Sequence, residues 1–302
     1  MTVAIAEGPE EDLRPAPGSR LVRRLRWDRW VGRLLLLPFL LVLVPIGDLL
    51  YWISSRALPT LSLTTLTTNP SGFGGGLYAP LTGTVMLMLL AGGIATALGI
   101  LAGMYTAEFA GPGTASVARL GGNLLAGVPA IVIGYFGYFA LVLYLGWGYS
   151  LLAGAVTLSF FMLPYVYRTA DLAFASVPRE QREAAQGAGA TPLQYLRRVA
   201  WPIAFPRILT GVFVALAIGL GETAPLLFTA GWNNAPAAGL SSPTGYLTGV
   251  IWLFYDFPKS FGTEQTLAFQ AAFLLIVAVI ALNVVIQIVA ERARRKLRGI
   301  YR

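Results

Sequence analysis

The 302-residue chain contains neither cysteine nor histidine. The first absence excludes a disulfide framework and a thiol nucleophile; the two together exclude a Cys/His metal site and a Ser-His-Asp triad. Charge is also scarce, at 12% Asp, Glu, Lys and Arg against the roughly 25% usual in soluble domains. No Gly-x-x-x-x-Gly-Lys-Ser/Thr phosphate loop occurs, so no segment of this chain is expected to bind ATP. What fills the sequence is apolar: 56% of residues are hydrophobic and the mean hydropathy is +0.67. The chain reads as an all-α, multi-pass membrane protein.

A spanning helix needs about 20 mostly apolar residues, and six runs qualify, at 31–53, 81–104, 123–146, 149–167, 203–230 and 267–290. The first carries Pro38, Pro45 and Asp48; it begins too late and runs too long for a cleaved signal peptide, and is expected to be retained. Only a tight turn at Gly146-Trp147-Gly148 can join the third and fourth, which predicts a hairpin. The fifth carries Pro206, Glu222 and Pro225. The domain expected is therefore 31–290, between a disordered, basic tail at 1–30 and a second basic tail at 291–302. The first 20 residues mix acids, Pro and Gly without hydrophobic period.

Lys and Arg are retained on the cytoplasmic side of a membrane. With six spans, 20 of the 22 fall on one face and only Arg56 and Lys259 on the other. Both termini are therefore expected in the cytoplasm. The formal net charge of +8 is dispersed among these loops and tails, where it reads as topology signals and lipid-headgroup contacts; no nucleic-acid partner is implied. Between spans five and six, residues 247–255 are too short to cross but rich in aromatics, and predict a surface-lying or re-entrant helix.

The long cytoplasmic loop, 176–202, predicts two short helices. Ser176 is placed to cap the first, with Pro178 in its opening turn. Gly187 and Gly189 allow a break, Thr191-Pro192-Leu193-Gln194 has the form of a capping box, and the second helix is expected to end before Pro202. Glu183, followed by two alanines, makes this loop a candidate docking knob, because small side chains allow close backbone approach and the carboxylate can hold register.

Glu183-Ala184-Ala185, three residues, Gly189, nine residues, then Val199-Ala200-Trp201-Pro202 resembles the EAA loop of ABC-importer permeases, with Val199 and Trp201 in place of the usual Ile and Leu. In that family the loop forms a coupling helix seated in a cleft of the ATP-hydrolysing subunit. Span five holds Gly221-Glu222-Thr223-Ala224-Pro225-Leu226-Leu227, which is similar to the permease subunits of phosphate importers. The likeness extends to Gly76 to Thr84, Gly127-Val128-Pro129-Ala130-Ile131-Val132, and Leu163-Pro164 with Arg168.

This resemblance implies a type I ABC importer permease fold in a prokaryotic inner membrane. It also implies a homologous second permease, two copies of an ATP-binding subunit, an extracytoplasmic phosphate-binding protein, and phosphate as substrate. No cofactor is implied on this chain, ATP and Mg²⁺ belonging to the partner ATPase, and the chain itself is not expected to be an enzyme.

An intramembrane carboxylate costs about 2.5–3.5 kcal/mol and normally faces a partner or cavity, so Glu222 is the residue to explain. Pro225 is expected to free a backbone carbonyl and kink the helix beside it. Ile218 stands one turn before Glu222, where the phosphate permeases often carry Arg. The charge partner is therefore sought in the second permease first, and in Arg168 or Arg207 second. Because a carboxylate repels an oxyanion, Glu222 is expected to hold an Arg or lock an access state. Thr223 is a candidate donor to phosphate and Arg168 a candidate exit-side contact. Two alternatives stay open at this point: a permease for molybdate or sulfate, and an ion-coupled secondary transporter using Glu222.

Overall fold

The computed structural model describes residues 20–71, 74–256 and 263–300; the first 19 residues of the tail expected at 1–30, Lys259 and Arg302 lie outside the described residues. The chain divides into two compact units after Trp52. The first is the body of helix α1 (Arg20–Ala57), which contains Pro38 and Pro45. Its side chains from Leu34 to Leu50 are exposed, as an apolar helix surrounded by lipid requires. Residues 20–30, expected as part of the tail, are helical, because no proline separates the basic stretch from the apolar one.

The second unit begins with α2 (Leu63–Thr67), capped by Ser62, and a two-residue hairpin of β1 (Pro70–Ser71) and β2 (Gly74–Gly75). Helix α3 (Tyr78–Glu108) then packs along α6 (Leu151–Ala175) in the most extensive helix pairing among the described residues. The reason lies in a stripe of small residues at every fourth position of α3, Ala91, Ala95, Gly99 and Gly103, all buried. Lipid is as apolar as leucine, so helices in a membrane gain most from close van der Waals approach, which small residues permit. At Gly103 a β-carbon would lie 2.6 Å from the Ala170 side chain and 2.7 Å from the Asp171 nitrogen, so glycine is required there. The core continues through Leu158, Met162 and Val166 of α6 to Leu226, Ala230 and Tyr246.

Between these partners run α4 (Pro112–Ala126) and α5 (Ala130–Gly137), bent by 96° where Pro129 opens α5. The third expected span thus lies on two helices at a steep angle. A π-helical turn, Tyr138–Tyr144, leads from α5 into the hairpin, and Gly146 and Gly148 take positive φ of 68° and 64°. Ser150 then caps α6 through the Ala153 nitrogen. Among the described residues, five helices are long and apolar enough to cross a bilayer, and the bent pair makes a sixth crossing if counted as one.

The remaining helices are α7 (Arg179–Gly187), α8 (Pro192–Tyr195), α9 (Trp201–Leu220), α10 (Ala224–Thr229), α11 (Leu247–Asp256) and α12 (Thr263–Ile300). The short helix at α11 buries Leu247, Val250 and Phe254 against Leu267, Ala268 and Ala271 of α12. Helix α12 extends through the basic residues to Ile300, so the second expected tail is helical over 291–300.

Candidate functional site

The loop carrying Glu183 is built from local signals. Thr191 accepts from the Gln194 nitrogen at 3.3 Å while the Gln194 side chain accepts from the Thr191 nitrogen at 2.9 Å, completing the capping box. Gly189 breaks the chain with φ 75°. Two expectations are corrected. Ser176 does not cap α7: it ends α6, donating to the Ala173 carbonyl, and Pro178 occupies the cap. Nor does the second helix stop before Pro202. A π-helical turn over Leu196–Ala200 carries α8 directly into α9. Pro202 has no N–H and its ring crowds the carbonyl of residue 198 in a regular α-helix. The wider turn, in which the Trp201 nitrogen bonds back to the Leu196 carbonyl, gives it room.

On α7 the side chains divide cleanly. Glu183 and Ala184 are exposed, while Ala185 packs against the cluster of Phe174, Tyr195 and Ala204. Gly189 and Pro202 are exposed on the flanks. Glu183 has no ion pair among the described residues. The result is a short helix fixed by its back with a carboxylate and a methyl on its open face, a shape suited to insertion in a cleft.

Glu222 lies in a break between two helices. Helix α9 ends at Leu220, and Gly221, Glu222 and Thr223 turn through hydrogen bonds from the Gly221 and Glu222 nitrogens to the Ile218 and Gly219 carbonyls, 3.1 Å each. The expected kink at Pro225 is displaced upstream. Pro225 is buried in the opening turn of α10, where no N–H is required, and it is the Thr223 carbonyl that accepts from Leu226 and Leu227. The Glu222 carbonyl accepts from the Thr248 hydroxyl of α11 at 2.9 Å, so the break is tied to a neighbouring helix. Thr223 is half-buried and its side chain makes no cap bond.

Neither in-chain partner proposed for Glu222 reaches it. Arg207 stands fifteen residues earlier on α9, roughly 22 Å along a helix axis. Arg168 is exposed on α6, two turns before the helix end, and no hydrogen bond or ion pair joins it to Glu222 among the described residues. Arg207, with Thr169, Ser176 and Thr210, lines a cavity of about 730 Å³ between α6, α9 and Ala290 of α12. The translocation candidates Arg168, Glu222, Thr223 and Pro225 are therefore not one cluster within this chain.

Two ion pairs were not anticipated. Arg119 of α4, read from sequence as a topology signal, makes a two-pronged bond to Asp171 of α6 at 2.9 and 3.0 Å, and the Asp171 side chain is 2% exposed. Glu108, the last residue of α3, pairs with Arg182 at 2.8 Å. An acidic residue in or at the end of an apolar helix was the available signal for both.

Comparison with known proteins places this geometry in context. The family model described as binding-protein-dependent transport system inner membrane component matches residues 95–299. The phosphate transport system permease protein PstA 2 of Mycobacterium bovis is 41% identical over 260 residues, covering 84% of this chain and 85% of the relative. The phosphate transport system permease protein PstA of Xylella fastidiosa (strain Temecula1) is 36% identical, covering 76% and 80%. Among solved structures, the inward-facing MetNI methionine ABC transporter aligns with TM-score 0.58 at 18% identity, over 72% of this chain and 95% of that one. A bacterial ABC transporter for import of the acidic polysaccharide alginate aligns with TM-score 0.56 at 17% identity, over 92% and 99%. These two carry the fold alone.

Proposed function

Because the chain belongs to the binding-protein-dependent transport system inner membrane components, we propose that it is the permease subunit of an ATP-driven importer of inorganic phosphate. The observation that carries the energy source is α7, with Glu183 and Ala184 exposed on a helix whose back is packed into the molecule. The substrate rests on the relatives at 36–41% identity, which are phosphate transport permeases. In this reading the chain pairs with a second, homologous permease, two ATP-binding subunits and an extracytoplasmic phosphate-binding protein. ATP and Mg²⁺ stay on the ATP-binding subunits, and this chain performs no catalysis.

Transport proceeds by alternating access. Closure of the ATPases draws the two coupling helices together, and each helix α7 displaces the bundle behind it. Phosphate needs hydrogen-bond donors along a low-dielectric path, from Arg, hydroxyls and backbone N–H groups. Glu222 repels the anion and so serves by holding a cation. Since Arg207 lies roughly 22 Å away along α9 and Arg168 makes no pair with it, that cation comes from the second permease. The break at Gly221-Glu222-Thr223, tied to α11 through Thr248, is the place where such a contact is made and released between access states.

The test of the substrate is uptake of labelled phosphate, with ATP, into vesicles holding this chain and its three partner proteins, challenged by excess sulfate and excess molybdate. Uptake resistant to both is the expected result. Displacement of phosphate by either competitor would reassign the permease to that oxyanion.

A further inference from the structure

The cytoplasmic end of α3 bears a carboxylate that the mechanism above leaves unused. Glu108 is the terminal residue of the helix and its side chain is 4% exposed. Its Oε2 lies 2.8 Å from Nη2 of Arg182, and its Oε1 accepts from the Tyr195 hydroxyl at 3.4 Å. That hydroxyl in turn accepts from Nε of Arg182 at 3.3 Å, and the guanidinium carbon sits 5.6 Å from the centre of the Tyr195 ring. Three side chains from α3, α7 and α8 thus close a ring in which each one touches the other two.

The position of this ring matters more than its strength. Arg182 is the residue immediately before Glu183, and adjacent residues on a helix project about 100° apart. Arg182 and Ala185 therefore hold the back of α7 while Glu183 and Ala184 face outward. A carboxylate this enclosed strongly resists losing its cation, so displacement of α7 is resisted unless α3 follows. Tyr195 leads through the π-helical turn into α9 without interruption. One displacement of α7 accordingly reaches α9 along the chain and α3 through the ring, and α3 carries it to α6 through their close-packed stripe.

We propose that the Glu108–Arg182–Tyr195 ring is a strut that makes α3 move with the coupling helix, so that ATP-driven motion reaches the second span as well as the fifth. The inference rests on the ATP-coupled reading above. The three are positioning residues, since none touches ATP or phosphate. Losing the ring leaves α7 held by its flanking chain and Ala185, and the stroke then reaches α9 while α3 lags.

The experiment uses the complete transporter in vesicles and reads ATP hydrolysed per phosphate imported, for the unaltered chain, Glu108→Gln and Tyr195→Phe. Phe keeps the ring under the guanidinium and removes only the bridging hydroxyl. In parallel, spin labels at Gln186→Cys on α7 and Ala97→Cys on α3, both exposed and the only thiols this chain would carry, report the distance between the two helices. The expected result is assembled complex, at least a fivefold rise in ATP per phosphate for Glu108→Gln, a rise of about two- to threefold for Tyr195→Phe, and a broadened label distance in both. A ratio unchanged in both variants, whether uptake is retained or falls in step with hydrolysis, would overturn the strut. If Glu108→Gln fails to assemble, the ratio and distance for Tyr195→Phe decide. Absence of ATP-dependent uptake in the unaltered complex overturns the functional reading instead, and the label distance then still decides whether the ring fixes α7 to α3.

Discussion

Glu183 and Glu222 are both carboxylates without an ion pair among the described residues, yet their surroundings differ. Glu183 is exposed on a helix whose back is packed into the molecule, and in the proposed reading its partner lies on an ATP-binding subunit. Misplacing a charge at a desolvated interface costs about 2–5 kcal/mol, so Glu183→Arg is expected to lower uptake by at least about thirtyfold while the chain stays in the membrane, as judged by immunoblot beside transport. Glu222 is half-buried where α9 breaks. Glu222→Gln keeps the shape and removes the charge, and a hydrogen bond to a charged group is worth about 1.5–3 kcal/mol. Uptake is expected to fall at least about tenfold with the complex intact; unchanged uptake and hydrolysis would remove Glu222 from the mechanism. Arg119 is structural. Arg119→Met strands the buried Asp171 carboxylate, at a cost of about 3 kcal/mol given that Arg119 itself is partly solvated. A lowered unfolding midpoint in detergent checks it, with Arg119→Met plus Asp171→Leu recovering most of the loss.

Among the elements, the α3–α6 pair sets the limits of change. Gly99 and Gly103 lie against Val166 and Ala170, and an added β-carbon at either glycine falls within 2.8 Å of those side chains. Gly103→Leu is expected to force the two helices apart and reduce folded protein severalfold, read as monodisperse material recovered from membranes; Gly93→Leu, where a β-carbon meets nothing within 4 Å, serves as the control. This stripe was legible in principle, as small residues four apart, but hydropathy alone does not distinguish a packed face from a lipid-facing one. The elements set by local chemistry were readable: the Thr191/Gln194 capping box and the glycine turn at 146–148 follow from residues within a few positions of one another. The helix breaks were less so. Pro225 marked a real discontinuity but sits just inside the new helix, and Pro202 was read as a stop although a π-helical turn absorbs it. Ser176 has the right chemistry for a cap and was drawn instead to the end of the preceding helix. The Glu108–Tyr195 contact, 87 residues apart, carries no local signature at all.

For the whole molecule, the apolar runs that identify a multi-pass protein follow from the thickness of a bilayer, and the motif spacing in 176–202 resembles that of the family to which the family model and the relatives assign the chain. The path of the substrate was not legible in the same way. Its candidate residues do not converge within the chain: Arg168 is exposed on α6 and makes no pair with Glu222 among the described residues, while Glu222 lies with Thr223 and Pro225 at the break after α9. In the proposed reading the pathway is shared between two permeases, which leaves each sequence with half of its constellation, so single-chain reasoning finds isolated charges. The central claim, that this chain turns ATP hydrolysis into phosphate import through α7, is tested most directly by the energy source. Vesicles holding the complete transporter would be supplied with ATP alone, with ionophores collapsing every ion gradient, or with a proton or sodium gradient alone. The account predicts labelled phosphate uptake that needs ATP, survives the ionophores and is lost in Glu183→Arg; uptake driven by a gradient without ATP would contradict it.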